Sequence, residues 1–277
     1  MGAGKSGYIL KVLSKKSKTQ LKEYFQERIN SNFFDDKKNI AHRRGFINFN
    51  VEEPQLGDLR PKVYYLYKNP EKLEALYREF LGKRIPFSTD TSYSVVDTNV
   101  IIDFNKKTFL ICSPLNSEVN KIIKIFFPHD NDDIIGFRKP VYVNDELFFR
   151  WVINNSKTNR AVFPPSCKLT LVQDAKVKDI EEVYSHTQTA KIGATEHLID
   201  SELYEPIKDV GVRDSLICYF THAKIAIPVN VHRFGKITIR SRPEGIDDAQ
   251  YYGIYSVVFE EMENLHKSYI SIIDGGV

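Results

Sequence analysis

The sequence has few of the residues that mark covalent or metal chemistry. Only 3 of its 277 residues are cysteines, Cys112, Cys167 and Cys218, and they lie far apart in the chain. No CxxC pair and no Cys/His cluster has the spacing of zinc ligands. We interpret the three cysteines as buried free thiols in a reducing compartment, so the expected location is the cytoplasm.

Long apolar runs are also missing. No stretch approaches the ~18–20 residues that a helix needs to cross a bilayer, and the N-terminus has no apolar segment of signal-peptide type. The composition is 42% hydrophobic and 27% charged, which is typical of a globular protein and excludes a disordered or fibrous one. The net charge of +3 is mildly basic and does not by itself identify a nucleic-acid-binding domain.

The first six residues, MGAGKS, permit several interpretations. The Gly-Lys-Ser run resembles the end of a phosphate-binding loop, which requires a preceding strand and a following helix. Met-Gly-x-x-x-Ser is also the N-myristoylation pattern, and Lys15, Lys16 and Lys18 would supply the second, electrostatic anchor that one acyl chain needs. A flexible terminus and residues left from cloning are further alternatives, and the sequence leaves them open.

Two segments share one order of predicted elements. Residues 93–127 contain two apolar β-prone runs around Asn105-Lys106-Lys107, then a Ser-Pro break and an apolar helical pattern. Residues 225–265 repeat strand, turn, strand, break and long helix. Hairpins in place of regular βαβ alternation indicate an α+β fold with mainly antiparallel sheets and packed helices. The two units are either a duplication or one common motif met twice.

The chain is long enough for one large domain or two of ordinary size. A polar stretch ending in Pro164-Pro165 is the best candidate boundary. We therefore predict an N-terminal half over 1–155 and a C-terminal half over 156–277, with one continuous domain as the alternative.

Apolar spacing and capping residues predict the helices. The N-terminal predictions are a helix over 18–30, with Ser17 and Gln20 as a capping box, and a helix over 70–81 that begins at Asn69-Pro70. Further helices are predicted over 145–154, capped by Asn144, over 177–184, capped by Asp174, and over 198–207. A closing helix is also predicted, and its negative end suits His266 and Lys267.

The segment KITIRSR predicts a strand with one basic face. One face carries Lys236, Thr238, Arg240 and Arg242, and the other carries Ile237, Ile239 and Ser241. Because the apolar face goes to the core, the cations line a solvent-facing strip with a spacing of ~6.6–7 Å. Such a strip suits a phosphodiester backbone without reading its sequence.

Other basic residues extend this strip if the fold brings them together. They are Arg233 at the preceding turn, the pair Arg43 and Arg44, and the pair Arg138 and Lys139. The alternative interpretation is a solvated outer face whose charges discourage aggregation at a sheet edge.

A second pattern lies in KLTLVQDAK, residues 168–176. An apolar strand ends in Asp174-x-Lys176, and we expect a helix to follow. This arrangement resembles the core of PD-(D/E)xK nucleases, in which the acid holds a metal and the lysine orients or stabilises the attacking water. The resemblance implies a Mg²⁺ site completed by an upstream acid, Asp145 or Asp130. Asp174 is alternatively a plain helix N-cap.

The sequence therefore predicts a non-enzymatic cytoplasmic protein that binds macromolecules, with nucleic acid as the preferred partner and no cofactor. DNA and RNA are not distinguished. One alternative is a Mg²⁺-dependent nuclease that uses Asp174, Lys176 and Asp145. The other is an adaptor subunit that contacts a partner protein or forms a homo-oligomer.

Overall fold

The chain divides into two compact units. The structure is a computed structural model that describes residues 5–31, 44–46, 62–67, 92–113, 116–128, 135–156, 163, 167–181, 183, 186–222, 224–240, 245–246 and 248–275. The N-terminal unit is Lys11–Phe137, and the C-terminal unit is Met1–Leu10 with Arg138–Val277. The predicted boundary between 155 and 156 falls inside the C-terminal unit, and the independence of the two predicted halves stays a prediction.

The described part of the N-terminal unit combines antiparallel strands with two helices. The described elements are β2 (Arg44–Phe46), β3 (Lys62–Tyr67), β4 (Ser92–Asp103), β5 (Thr108–Cys112), α1 (Lys18–Ser31) and α2 (Asn116–Phe126). The strands pair in the order β2-β3-β4-β5, and each of these pairings is antiparallel. The helix predicted at 70–81 lies outside the described residues.

Helix α1 begins at the predicted capping box. The backbone N–H of Ser17 donates to Gln20 Oε1 at 2.9 Å, and the backbone N–H of Gln20 donates to Ser17 Oγ at 3.3 Å. Leu21, Phe25 and Ile29 share the buried face of this helix. Phe25 lies in an aromatic cluster whose other members have ring centroids 5.5–6.1 Å from its own, namely Phe104, Phe109, Phe126 and Phe127.

The C-terminal unit is a sheet covered by helices. Its strands follow the order β1-β11-β10-β9-β7-β8, and every pairing whose register is described is antiparallel. The remaining elements are β1 (Lys5–Leu13), β6 (Gly136–Arg138), β7 (Leu169–Lys178), β8 (Thr189–Gly193), β9 (Val212–His222), β10 (Ile225–His232), β11 (Lys236–Ile239), α3 (Phe148–Asn155) and α4 (Asp248–Gly275). Only residues 5–10 of β1 and Arg138 of β6 belong to this unit.

Helix α4 buries an apolar stripe and contacts both β9 and α3. The buried stripe includes Tyr252, Tyr255, Val258, Met262 and Leu265. Strands in antiparallel ladders with helices packed on them confirm the α+β prediction. Both predicted strand–strand–helix units form, as β4-β5-α2 and β10-β11-α4. Their origin by duplication stays a prediction.

Three helix predictions in the C-terminal unit are wrong. Residues 174–178 continue strand β7, because this segment pairs with β8 on one side and β9 on the other. Two ladders satisfy its backbone groups, and this tertiary pairing overrides the local helical pattern. Residues 198–207 form two short 3₁₀ turns, Leu198–Asp200 and Glu205–Ile207. Helix α4 extends to Gly275, so His266 lies in its interior and not at its negative end.

The start of α3 also differs from the prediction. A 3₁₀ turn, Val141–Asn144, precedes the helix, which begins at Phe148. The carboxylate of Asp145, in place of Asn144, accepts the backbone N–H groups of Leu147 and Phe148 at 3.2 and 3.1 Å. The short side chain one turn before a helix is the usual acceptor for these otherwise unpaired donors.

The N-terminal Gly-Lys-Ser run leads into a strand. Lys5 and Ser6 begin β1, and Ser6 Oγ lies 3.0 Å from Thr238 Oγ1 on β11. The helix that a phosphate-binding loop requires is therefore absent at this place. Gly2 and the start of the lipidation pattern lie outside the described residues.

Candidate nucleic-acid interface

Strand β11 has the two faces that its alternating sequence predicts. Ile237 and Ile239 are fully buried, whereas Lys236 and Thr238 are half-buried on the opposite face. Arg240 follows the strand and is exposed, and Arg242 lies outside the described residues. Two members of the predicted basic strip, Lys236 and Arg240, therefore remain available on or beside the outer face of the sheet.

A line of polar and aromatic side chains crosses the same face from strand to strand. Tyr8 pairs with Lys236, and Ser215 pairs with His232 on one side and with Lys176 on the other. Lys191 pairs with Lys176, and the turn between β10 and β11 places His232 next to Lys236. Paired residues in antiparallel strands share a face. We call this line the transverse row: Tyr8, Lys236, His232, Ser215, Lys176 and Lys191.

The burial of the intervening residues supports the orientation of the transverse row. The residue next to each member in the chain is buried, as expected where side chains alternate between core and solvent. These neighbours are Ile9, Ile237, Val231, Leu216, Ala175 and Ile192. The row itself is half-buried or exposed apart from Ser215. The row therefore lies on the outer face.

An irregularity in the β7–β9 ladder places a carboxylate beside the row. Lys176 pairs with Ser215 and Val177 with Arg213, which leaves Asp214 as an extra residue in β9. A bulge of this kind re-aims a side chain. The carboxylate of Asp214 lies 3.6 Å from Lys176 Nζ and 3.1 Å from Lys178 Nζ. Asp214 therefore holds two lysine ammonium groups close together on the outer face.

His232 is neutral over a wider pH range than an ordinary histidine. Its pKa is lowered by burial, and the charges of Lys236 and Lys176 lower it further, while Asp214 opposes them. The two lysines that act on it lie on β11 and on β7. The side chain presents a neutral imidazole within the row at neutral pH.

Sequence reasoning missed part of this basic face. The sequence patterns predict Lys178 in a helix and Lys176 in a catalytic site, and no pattern marks Lys191. The signal that would have found them is the alternation of Lys176 and Lys178 with buried Ala175 and Val177, which is the period of a strand.

Two of the predicted basic residues are engaged in ion pairs within the C-terminal unit. Arg138 forms two hydrogen bonds to the Glu263 carboxylate, at 3.0 and 2.7 Å. Arg233 pairs with Glu146, and its guanidinium lies over the ring of Phe234. These partners reduce the charge that either arginine presents to a ligand.

The structure gives less information on the other three predicted basic residues, Lys139, Arg43 and Arg44. Lys139 is exposed just after Arg138. Arg44 belongs to β2 of the N-terminal unit, where only the backbone is described, and Arg43 lies outside the described residues.

The residues of the nuclease hypothesis occupy a different context from the one the resemblance implies. Asp174 and Lys176 lie inside β7, with no helix directly after Lys176. Asp174 pairs with Lys191 at 3.6 Å, and Asp145 pairs with His266 at 3.0 Å. Asp130 lies outside the described residues. Within the described ranges, no three His, Cys, Asp or Glu side chains group as a metal site, and a Mg²⁺ site that includes Asp130 stays a prediction.

The C-terminal unit also exposes apolar side chains around one turn. Phe234 and Leu147 are each more than half exposed, at 56% and 54%, and Val141 is exposed at 39%. A Cβ on Gly235 would lie 3.1 Å from Pro140, which shows that the β10–β11 turn packs on the segment before α3. The pairing of Arg233 with Glu146 joins the same two segments. These apolar residues therefore occur on adjacent segments.

Comparisons with known proteins give no family assignment. No protein-family model matches the chain, and a search of curated proteins found no match. Among the helices that the structure describes, none has the length and apolar character needed to cross a membrane.

Proposed function

We propose that this protein binds nucleic acid, without catalysing a reaction on it, through the outer face of the sheet in its C-terminal unit. The observation that carries the proposal is the transverse row, in which Lys236, Lys176 and Lys191 lie on one face with Lys178 and Arg240 beside them. Asp174 and Asp214 are the carboxylates paired with these lysines. The five cations outnumber these two carboxylates, which leaves the face positive.

Lysines on one face of a sheet suit the phosphate backbone because they act as mobile point charges. Phosphate contacts set affinity and orientation on the ligand and do not read its sequence. Each neutralised phosphate releases counterions, so the affinity falls steeply with salt. The same proposal includes a reducing compartment such as the cytoplasm, supported by Cys218, which is a buried free thiol. Burial raises the pKa of the Cys218 thiol, which makes it unreactive.

The test is binding of labelled DNA and RNA at two salt concentrations, with and without Mg²⁺. We expect salt-sensitive binding without cleavage. The double variant Lys176→Glu/Lys191→Glu should lose at least tenfold in affinity, because it reverses two charges of the row. The matched control is Lys15→Glu/Lys124→Glu, which reverses two exposed charges of the N-terminal unit. Equal affinity in the wild type and the row variant would refute the proposal, as would an equal loss in the control.

The same assay also tests the nuclease hypothesis. It requires cleavage that depends on Mg²⁺ and disappears in Asp174→Ala. Lys191→Ala serves as the comparison, because it removes the ion-pair partner of Asp174 but no carboxylate. Cleavage that survives in Asp174→Ala excludes the nuclease role of that residue.

The exposed apolar residues favour the adaptor hypothesis as a second candidate. Phe234 and Leu147 offer apolar surface that a second copy of the chain or a partner protein would cover. Light scattering after size exclusion tests self-association: Phe234→Ser/Leu147→Ser should convert an oligomer to a monomer. Leu203→Ser is the matched control, since Leu203 is 67% exposed in a different segment. A wild-type protein that is already monomeric excludes the homo-oligomer.

A further inference from the structure

We propose that the ligand of this face is a single-stranded nucleic acid that lies across the strands, with a base stacked on Tyr8 and phosphates on the lysines of the transverse row. This inference rests on the proposed function and specifies its substrate. Its evidence is the order of side chains along the row and the width of the sheet that carries them.

The order of side chains along the row separates an aromatic end from a basic end. Tyr8 lies on β1 directly opposite Lys236, and its neighbours along the face are Ser6 and Thr238, whose hydroxyl oxygens are 3.0 Å apart. This contact places Ser6 on the face of Thr238, and Tyr8, two residues further along β1, lies on the same face, opposite Lys236. The opposite end of the row carries Lys176 and Lys191.

The length of the row fits several nucleotides of an extended chain. Its members occupy six strands, β1-β11-β10-β9-β7-β8. Neighbouring strands are ~4.8 Å apart, so the row extends for roughly 24 Å perpendicular to the strands. The neutral imidazole of His232 lies between Lys236 and Ser215, where it offers a ring and a hydrogen-bonding nitrogen without adding charge.

The width of the sheet disfavours base contacts with a duplex. The major groove of B-DNA is about 12 Å wide and admits a helix or a two-stranded ribbon. A six-stranded sheet is too wide to enter it, so a duplex would meet this face through phosphates alone. Unpaired bases, in contrast, can splay out and stack on an aromatic ring presented by a sheet. Tyr8, which lies beside Lys236, can therefore stack on a base of a single strand but not on the paired bases of a duplex.

Asp214 adds a further restriction on the bound strand. Its carboxylate pairs with Lys176 and Lys178 and repels a phosphate placed directly over it. The phosphates should therefore contact the ammonium groups from the side away from Asp214. This arrangement favours a thin, flexible chain that can avoid the carboxylate.

The experiment compares a short labelled single strand with a hairpin duplex of equal charge, using fluorescence anisotropy. We expect the wild-type protein to bind the single strand at least tenfold more tightly. Tyr8→Leu should weaken single-strand binding roughly tenfold and leave duplex binding unchanged, because it removes the stacking ring but no charge. Tyr8→Phe keeps the ring and should bind the single strand like the wild type. Thermal unfolding of both variants shows whether they fold.

The outcomes distinguish this inference from the proposed function. If Lys176→Glu/Lys191→Glu abolishes binding but Tyr8→Leu, folded, binds the single strand normally, the inference is overturned and the proposed function stands. Tighter binding to the duplex also overturns the inference alone. Absence of binding to either nucleic acid overturns both. Selective loss of single-strand binding in Tyr8→Leu, with Tyr8→Phe normal, supports both.

Discussion

Arg138 holds Glu263 through both of its terminal nitrogens, at 3.0 and 2.7 Å. The Glu263 carboxylate also accepts the backbone N–H of Val141 at 2.7 Å. A planar guanidinium that matches a carboxylate in this way forms one of the stronger pairs in proteins. The pair fixes the segment before α3 to α4, so Arg138 stabilises the fold of the C-terminal unit.

Glu263→Gln should therefore destabilise the protein by about 1–3 kcal/mol, because it leaves the arginine with a weaker partner. The measurement is the free energy of unfolding in urea. Glu202→Gln, at an exposed position, is the matched control. An equal effect in both variants would contradict the structural role of the pair.

The same pair predicts a dependence on pH. Burial opposes ionisation of Glu263, but the hydrogen bonds from Arg138 and Val141 outweigh it, so its pKa is lowered from the ordinary value of 4.5. The unfolded chain thus takes up a proton at a higher pH than the folded one. The stabilisation is fully present above pH 4.5 and is lost as the pH falls through the lower, folded-state pKa. The stability difference between wild type and Glu263→Gln should accordingly shrink in acid.

His232 should give a second pH dependence, at a higher pH. Its pKa in the folded protein is below the ordinary value of 6.5. The unfolded state therefore binds a proton that the folded state resists, and the free energy of unfolding decreases as the pH falls below 6.5. Urea unfolding of His232→Gln between neutral and mildly acidic pH should show a shallower decrease than the wild type. Parallel curves would exclude this contribution.

Arg213 should be one of the most sensitive positions for stability. Its guanidinium is fully buried and donates to the carbonyls of Ile207, Lys208, Val210 and Gly211 and to the Tyr204 hydroxyl. Arg213→Met leaves several buried acceptors without donors and should cost about 3 kcal/mol or more. Arg213→Lys should lose less stability than Arg213→Met but more than none, because an ammonium still donates hydrogen bonds but lacks the planar fork of a guanidinium. A loss below about 1 kcal/mol in urea unfolding would contradict the prediction.

Phe25 should dominate the core of the N-terminal unit. Its side chain is fully buried among other phenylalanine rings. Phe25→Ala should cost about 3–5 kcal/mol through lost burial and a cavity. Glu27→Ala, on the exposed side of the same helix, is the control for helix propensity and should stay within about 0.5 kcal/mol of wild type. Similar unfolding midpoints for the two variants would refute the packing argument.

The slope of log affinity against log salt concentration should depend on how many lysines contact phosphate. Each phosphate contact contributes about 0.7–0.9 to the slope of log affinity against log salt. Lys176→Gln and Lys191→Gln should therefore each reduce the slope by about one contact. Lys208→Gln, which alters an exposed pair with Glu205, should leave the slope unchanged. An unchanged slope in the Lys176 and Lys191 variants would show that they do not touch the ligand.

Local patterns predicted those features whose cause lies within a few residues. The capping box at Ser17 and Gln20, the buried stripe of α4 and the alternation of Ile237 with Lys236 are examples. In each case the period of the side chains or a short hydrogen bond determines the structure. The helix predicted after Asp174 was wrong because its segment gains two strand partners that lie far away in the sequence.

The sequence by itself determined the α+β class, the strand–strand–helix units and the two faces of β11, since these follow from side-chain period and turn residues. The tertiary structure alone decided which carboxylate each cation pairs with and which cations share one face of the sheet. It paired Arg138 with Glu263 and Arg233 with Glu146, and strand register brought Lys191 beside Lys176. The physical reason is that ion pairs and strand partners are chosen across long sequence separations, where the register of the sheet, and not the local pattern, sets which side chains meet.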